Sequence, residues 1–227
     1  ASYSTNGLLE AIESALGTAG MTVADLAAVA VAEEDQTPLE YHVDVIVVGA
    51  GGAGMTAAIT AKEAGADVVV LEKMSFFGGN TLVSGGELNV PGSWVQENKG
   101  VEDSIEQYTA DTLKGGDNQA NPELVAVLAE NALAGAEWLR DEIKVNYQSD
   151  YLMQFGGHSV PRAIFPEGGS GYEMISKLKA KADEMGIPFH MNTRATMLLT
   201  DESGRVIGVE ATKGEQTLTF LAENGVV

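Results

Sequence analysis

No cysteine occurs among the 227 residues. That excludes disulfides, thiolate catalysis and Cys-ligated metal or iron–sulfur sites within the chain. It leaves the redox compartment open, because an exported protein can also lack cysteine. Histidine is nearly as scarce: His42, His158 and His190 are the three present, with no His-x-x-x-His or Glu-x-x-His pair. A protein-built metal site is therefore not expected. Basic residues number 13 against 33 acidic, for a formal charge of −20. A surface of that sign repels phosphate backbones and anionic membranes, so neither is expected as a partner. Solubility is the favoured reason for the acidity, ahead of a cationic partner. No apolar run approaches the roughly 18 residues a transmembrane helix needs. The opening stretch, ASYSTNGLLEAIESALGTAG, has no basic start and no long apolar core, so it is no signal peptide. A soluble chain is expected, cytoplasmic or exported. It begins without Met, from which something upstream is expected to be missing or removed.

Glycine is what the chain has in excess: 27 residues, against a usual share of about 7%. With no collagen-like period, these glycines must serve loops and close backbone approaches. Hydrophobic residues make up 44%, enough for a core in one large domain or two small ones. Two short helices are expected first. One runs through LLEAIESAL, capped by Asn6 with Leu8, Ile12 and Leu16 on one face; the other runs from about Thr22 to Val31. AEEDQTPLEYH then reads as a linker, which puts a boundary between Glu33 and Tyr41. VDVIVVG, from Val43, is too short for a helix and rich in β-branched residues, the mark of a buried strand. A helix from Gly52 to Gly65 and a second buried strand, DVVVLE, complete a βαβ unit. Helical stretches follow near Val101–Leu113 and from Pro122 to about Glu142. After a glycine loop, EGGSGYE, come a helix to Met185 and a strand, IPFHMN. Three alternating segments, TMLLTD, RVIGVEAT and QTLTFLAE, then read as an antiparallel meander.

The glycines crowd two knots. The first, Gly49-Ala50-Gly51-Gly52-Ala53-Gly54, is a G-x-G-x-x-G that closes the first strand and opens the helix. In that setting Gly49 permits the tight turn, Gly51 lets the backbone approach a pyrophosphate, and Gly54 lets the helix pack on the strand. The amides of the helix N-terminus then face phosphate charge. Glu72 ends the second strand, 18 positions past Gly54, where a carboxylate can accept both hydroxyls of an adenosine ribose. The second knot, FFGGNTLVSGG, separates two classes of dinucleotide. Nothing in a nicotinamide-binding unit requires a further glycine-rich segment after the acidic residue. A longer cofactor needs backbone clearance again, along Gly78, Gly79, Gly85 and Gly86, with Asn80, Thr81 and Ser84 as hydrogen-bonding groups. That suits FAD.

The series VGAGGAG, EK, GGN and SGG resembles the FAD-binding domain of the fumarate reductase and succinate dehydrogenase flavoprotein family. It is most similar to the soluble branch of flavocytochrome c fumarate reductases, urocanate reductases and acrylate reductases. The similarity continues through LKGGDNQANPELVAVLAENALAGAEWL, GGHSVPRAIFPEGGSGYE and MNTRATMLLTDESGRVIGVEA, over about Val43–Glu223. It implies an α/β fold: a Rossmann-like FAD-binding domain with a glutathione-reductase-type βαβ unit, a parallel sheet and an antiparallel β-meander, incomplete at the C-terminus. It implies FAD contacts at Gly49, Gly51, Gly52, Ala53, Gly54, Glu72, Lys73, Gly79, Asn80, Thr81, Ser84, Gly85 and Gly86. Ala195 falls where family members use backbone groups near the adenine, and Gly168 and Gly169 fall in a loop placed near the flavin. Membrane-bound members attach FAD through a His in the second knot; Asn80 and Thr81 stand there, so FAD is expected to be non-covalent. The N-terminus resembles the tail of a small FMN-binding domain, in which Ser2 would replace the Thr that carries FMN in a longer parent. Residues 1–40 would be that tail and a linker, and 41–227 the N-terminal part of the FAD-binding domain.

Soluble fumarate reductases carry Arg-Ala-His-Arg-Pro where this chain has Arg162-Ala163-Ile164-Phe165-Pro166, which weakens the case for a dicarboxylate. Phe155 aligns with a family residue near the flavin, although a packed core Phe is favoured. His158 is read as a solvated or hydrogen-bonded loop residue, and His42 and His190 as structural. Arg162 and Arg194 alone among the basic residues stand beside flavin-loop motifs, and neither matches the family's arginine acid. In the family, that acid and the clamp on the substrate carboxylate lie in the part that follows, so no catalytic residue is expected here. The resemblance implies hydride transfer from reduced FAD to the C=C bond of an enoate such as fumarate, urocanate or an acrylate. The implied partners are that enoate, an electron donor or FMN domain, and the remainder of the flavoprotein with its capping domain. The alternatives are a dehydrogenase running in the opposite direction, of the succinate or ketosteroid type, and a non-catalytic flavin-binding fragment or subunit.

Overall fold

The computed structural model describes residues 39–227 and a few scattered positions between 10 and 22. Ser2 and most of the two helices expected at the start lie outside the described residues. The chain divides into two compact units, Ala1–Thr37 and Pro38–Val227.

In the second unit, β1 (Leu39–Val48) leads through α1 (Gly52–Glu63) into β2 (Val68–Leu71). The two strands run parallel, with Val45 opposite Val68 and Val48 opposite Leu71. All four β2 residues are buried, as a continuous apolar run in a sheet covered on both faces should be. A ribbon of β3 (Leu88–Asn89) and β4 (Ala163–Ile164) stands apart from the main sheet. β5 (Phe189–His190) extends the parallel sheet beyond β2. β6 (Arg194–Thr200), β7 (Val206–Lys213) and β8 (Gln216–Val226) form the antiparallel meander. The main sheet has the order β5-β2-β1-β8-β7-β6. Parallel sheet and meander are thus one continuous sheet, because β8 pairs with β7 on one side and, in parallel, with β1 on the other. β1 begins inside the stretch read as linker: Leu39, Glu40 and Tyr41 pair with Leu218, Thr219 and Phe220.

Strand alternation divides the core in two. Val47, Val68 and Val70 pack with Met55 and Ile59 of α1, Leu139 of α5 (Pro122–Asp141), and Ile175 and Leu178 of α6 (Gly171–Glu184). Ile46, Val69 and Leu71 belong to the other cluster, with Val209, Leu218 and Phe220 of the meander. The longer helices start on side-chain caps, as expected of Asn and Ser there: Asn121 accepts from Glu123 N–H and Ser170 from Tyr172 N–H. α4 (Ile105–Gly115) starts later than expected, where Ser104 accepts from Gln107 N–H. Two short helices carry no periodic signal, α2 (Gly79–Val83) within the second knot and α3 (Trp94–Lys99) after it. Among the described residues, no helix is long and apolar enough to cross a membrane, and no group of His, Cys, Asp and Glu is arranged to hold a metal ion.

Candidate cofactor-binding site

β1 lies between β2, which follows it, and β8, which closes the chain. Open α/β sheets bind ligands outside the carboxyl ends of strands at such a switch of direction. The first glycine knot sits there. Gly49 turns with φ +108°, and its N–H donates to Leu71 O at 2.8 Å. Gly51 is the N-cap of α1 and offers no side chain to cap the helix. A Cβ built on Gly51 would meet only Gly78 O, at 3.8 Å. One on Gly54 would stand 1.9 Å from Gly49 O, so glycine is what lets the helix close on the turn.

Glu72 is 6% exposed. Its own N–H donates to His190 O at 2.9 Å, and its carbonyl accepts from Thr193 N–H at 2.8 Å. From that pinned backbone, Oε2 accepts from Ala50 N–H at 2.8 Å and Oε1 from Met74 N–H at 2.8 Å. The carboxylate lines a cavity of about 310 Å³ together with Gly49, Lys73, Thr193, Arg194 and Ala195. Four of the expected residues, Gly49, Glu72, Lys73 and Ala195, therefore meet around one space. Sequence reasoning missed Thr193 in this lining and gave Arg194 no part in it; their adjacency to Ala195 in MNTRA is the signal that could have found them.

Gly52 and Thr81 are 29 positions apart in sequence, yet Thr81 Oγ1 accepts from Gly52 N–H at 3.3 Å. Gly78 N–H donates to Ala50 O at 2.7 Å, and Gly51 and Gly78 form a parallel bridge. The two knots lie side by side. The glycine loop after β4 joins them, with Gly171 N–H donating to Ser84 O at 2.8 Å. Contact is close here: a Cβ on Gly171 would stand 1.8 Å from Thr81 O, and one on Gly86 (φ +74°) 2.9 Å from the Gly171 backbone. Gly78 and Gly86 thus have protein neighbours that demand glycine, apart from any ligand. Ser84 Oγ donates to Thr81 O and accepts from Gly86 N–H. A Cβ on Gly85 would meet only the Glu87 carboxylate. Ala53, Gly79, Asn80, Gly168 and Gly169 are exposed.

Just beyond the second knot, Glu87 Oε2 and Asn89 Oδ1 are buried without a hydrogen-bond partner. Both residues line a cavity of about 500 Å³ with Tyr108, Asn131, Val127 and Leu128. Buried acceptors without donors call for a source of one, whether an ordered water or a further group. Neither residue was singled out from sequence; a Glu within SGGELNV, on a half-buried segment, is the signal that was available.

Arg162 lines neither cavity. It is fully buried, with Nε and Nη2 on Asp103 at 2.8 and 2.9 Å and Nη1 on Asp111 at 2.8 Å. Its guanidinium lies 5.1 Å from the Tyr108 ring centroid. Burial acts to raise the Asp111 carboxyl, but Ser159 N–H, Ser159 Oγ and Arg162 together hold it down at about 2. Asp103 is likewise pushed up by burial and brought lower overall by Arg162, Gln96 and Ser104. This triad is structural. Phe155 is half-buried against Phe165, ring centroids 6.3 Å apart, and belongs to none of the core clusters. His158 is half-buried with Nδ1 buried and unpaired among the described residues, and burial, followed by the Arg162 charge, lowers its pKa. His190 packs edge-on to Tyr41 and Phe220, while His42 is exposed beside Glu40.

The family model described as FAD binding domain matches residues 44–227, and the chain belongs to that family. The chain is 42% identical over 217 residues to urocanate reductase of Eggerthella lenta, covering 93% of this chain and 35% of that protein. It is 40% identical over 166 residues to a probable fumarate reductase of Shewanella frigidimarina, covering 72% of this chain and 28% of that one. A solved flavocytochrome c3 fumarate reductase in its open conformation is similar with a TM-score of 0.77 at 36% identity, over 82% of this chain and 33% of that chain. The chain spans about a third of the length of the curated relatives it matches.

Proposed function

We propose that this chain holds the FAD of an oxidoreductase that reduces the C=C bond of an enoate. The observation that carries the reading is the cradle at the end of β1. The Cβ positions of Gly49 and Gly51 are open there, the N-terminus of α1 has no side-chain cap, and a buried carboxylate lines the adjoining cavity. These residues fit an FAD pyrophosphate and adenosine. The amides of Gly51, Gly52, Ala53 and Gly54 would take the phosphates. Glu72 would take the ribose hydroxyls on lone pairs that its two amide donors leave free. Lys73 and Ala195 would flank the adenosine, and Gly79, Asn80, Thr81, Ser84, Gly85, Gly86, Gly168 and Gly169 would line the flavin half. FAD, when bound, supplies the hydride for the double bond. Asn80 and Thr81 offer no imidazole for a covalent link, so the cofactor is held non-covalently. The proton donor and carboxylate clamp come from the remainder of a longer flavoprotein with a capping domain, fed by an electron donor. FMN esterified to Ser2 of such a parent rests on the resemblance of the N-terminus alone.

Among the enoates that its relatives are named for, the chain's own residues favour urocanate over fumarate. Glu87 Oε2 and Asn89 Oδ1 are acceptors that lack donors; an imidazole N–H supplies one, whereas a second carboxylate brings like charge to a buried carboxylate. Ile164 and Phe165 stand where soluble fumarate reductases have His and Arg. The test is re-oxidation of a reduced viologen dye by the whole flavoprotein with urocanate or fumarate. Urocanate should give the higher kcat/KM, and Glu87→Gln should lower that value while raising kcat/KM for fumarate, whose second carboxylate then meets no like charge. A preference for fumarate, or equal losses on both substrates, would overturn the urocanate reading. Acid precipitation should leave a colourless pellet beneath a yellow supernatant with the FAD spectrum; a yellow pellet would count against non-covalent FAD.

A further inference from the structure

Ala50 belongs to the first glycine turn and is fully buried, so its N–H has no water to turn to. Met74, 42% exposed, opens the loop that runs to the second knot. The Glu72 carboxylate joins them, Oε2 to Ala50 N–H and Oε1 to Met74 N–H, each at 2.8 Å. Both bonds are made by the protein alone. We infer that Glu72 is a positioning residue for the phosphate turn: it fixes the turn and the following loop in ligand-ready geometry before any cofactor arrives. Its contact with ribose hydroxyls is then a second task, which rests on the FAD reading above.

The chemistry of the side chain makes the inference sharp. A carboxylate offers acceptors on both oxygens, as two N–H donors facing it require. Glutamine, nearly the same shape, offers one oxygen and one NH₂, so it must present a donor to one of the two amides. The buried Ala50 N–H has no alternative, while the Met74 N–H can turn to water. Glu72→Gln should therefore keep the turn and release the loop. Glu72→Ala should release both.

Site-resolved amide hydrogen exchange on the FAD-free 227-residue chain tests this without reference to any ligand. Relative to the Val70 amide in the core of β2, which reports global opening, Glu72→Ala should speed exchange at Ala50 and Met74 by about tenfold or more. Glu72→Gln should speed Met74 alone. A second arm titrates an FAD analogue that lacks the adenosine ribose hydroxyls. If Glu72 served only those hydroxyls, wild type and Glu72→Ala would bind the analogue equally; the inference expects weaker binding by Glu72→Ala. Unchanged exchange at Ala50 and Met74 in Glu72→Ala, or equal affinity for the analogue, would overturn it. Should Glu72→Ala fail to fold, the Ala50–Met74 split in Glu72→Gln decides the matter. Wild-type chain that binds no FAD at all would sink the cofactor reading and leave the exchange arm standing.

Discussion

At Gly49 and Gly51 of the first glycine knot the room that a side chain would occupy is open, and at Gly78 and Gly86 of the second it is filled. A Cβ on Gly49 meets nothing within 4 Å, and one on Gly51 meets only a carbonyl at 3.8 Å; on Gly78 and Gly86 it would meet protein atoms at 2.7 and 2.9 Å. Neither knot is uniform: in the first, a Cβ on Gly54 would stand 1.9 Å from Gly49 O and one on Gly52 3.0 Å from Thr81 Oγ1, while in the second one on Gly79 would meet only Gly51 Cα at 3.7 Å. The same residue type therefore serves two ends. In one place it keeps space for something that is not protein, and in the other it lets three backbone segments touch. Their settings differ in the same sense. The first knot rests on core strands, β1 and β2. The second leads to the β3–β4 ribbon, and next to Ala163 in that ribbon stands a buried cation between two carboxylates.

The largest effect is expected in the frame behind the second knot. Arg162→Ala would leave Asp103 and Asp111 without their cation, at a cost of about 3–5 kcal/mol for a broken buried ion pair. Replacing all three members with apolar residues, as Arg162→Met, Asp103→Leu and Asp111→Leu, should recover most of that loss, since packed side chains can do as well as a buried triad. Urea unfolding of the three proteins gives both numbers; a single mutant as stable as wild type would mean the ribbon does not depend on the triad. The triad also sets a limit in acid. The Asp111 carboxyl lies at about 2 in the folded chain against 3.8 ordinarily, so the folded state favours its ionised form. Its contribution to stability is complete above about pH 4 and fades as pH falls through about 2. In Arg162→Ala that part of the pH dependence should shrink.

Gly86→Ala comes next. The left-handed φ of +74° costs a side chain about 1–2 kcal/mol, and a methyl forced against the Gly171 backbone and Pro166 adds about 1–3 kcal/mol. A loss of about 2–5 kcal/mol in urea is expected from these two sources together. Gly49→Ala, with φ +108° and open space, should lose only the backbone part, about 1–2 kcal/mol. If the two substitutions cost the same, the distinction between filled and open positions fails.

How far this contrast could be read in advance depended on how local its causes are. The first knot was legible because strand, turn, helix and Glu72 follow one another within a single βαβ unit, where spacing carries the geometry. The meander was legible from alternation, but its union with the parallel sheet was not, since β8 must find β1 from the far end of the chain. Arg162 sits beside a glycine loop in sequence, which drew attention to the wrong neighbours; its real partners lie 59 and 51 positions away. The second knot was seen as glycine-rich, but the atoms that demand glycine at Gly86 belong to Gly171 and Pro166. Glu87 stood in view within SGGELNV, but that its oxygen is buried and unpaired is a property of the packed chain.

The smallest effect on stability is expected at Gly51, and it carries the most information about function. Its backbone, φ −82° and ψ −177°, suits any residue, and the nearest atom to an added methyl is 3.8 Å away. Gly51→Ala should therefore change the unfolding free energy of the FAD-free chain by no more than about 0.5 kcal/mol. The same methyl would stand where the backbone is expected to meet a pyrophosphate at the N-terminus of α1. FAD affinity should fall by about tenfold or more, equivalent to at least about 1.4 kcal/mol, as read by quenching of flavin fluorescence on titration. Binding and folding thus separate at Gly51 and stay joined at Gly86, whose substitution should weaken both. A Gly51→Ala chain that binds FAD like wild type would show that nothing approaches the turn, and the open space at the end of β1 would need another occupant.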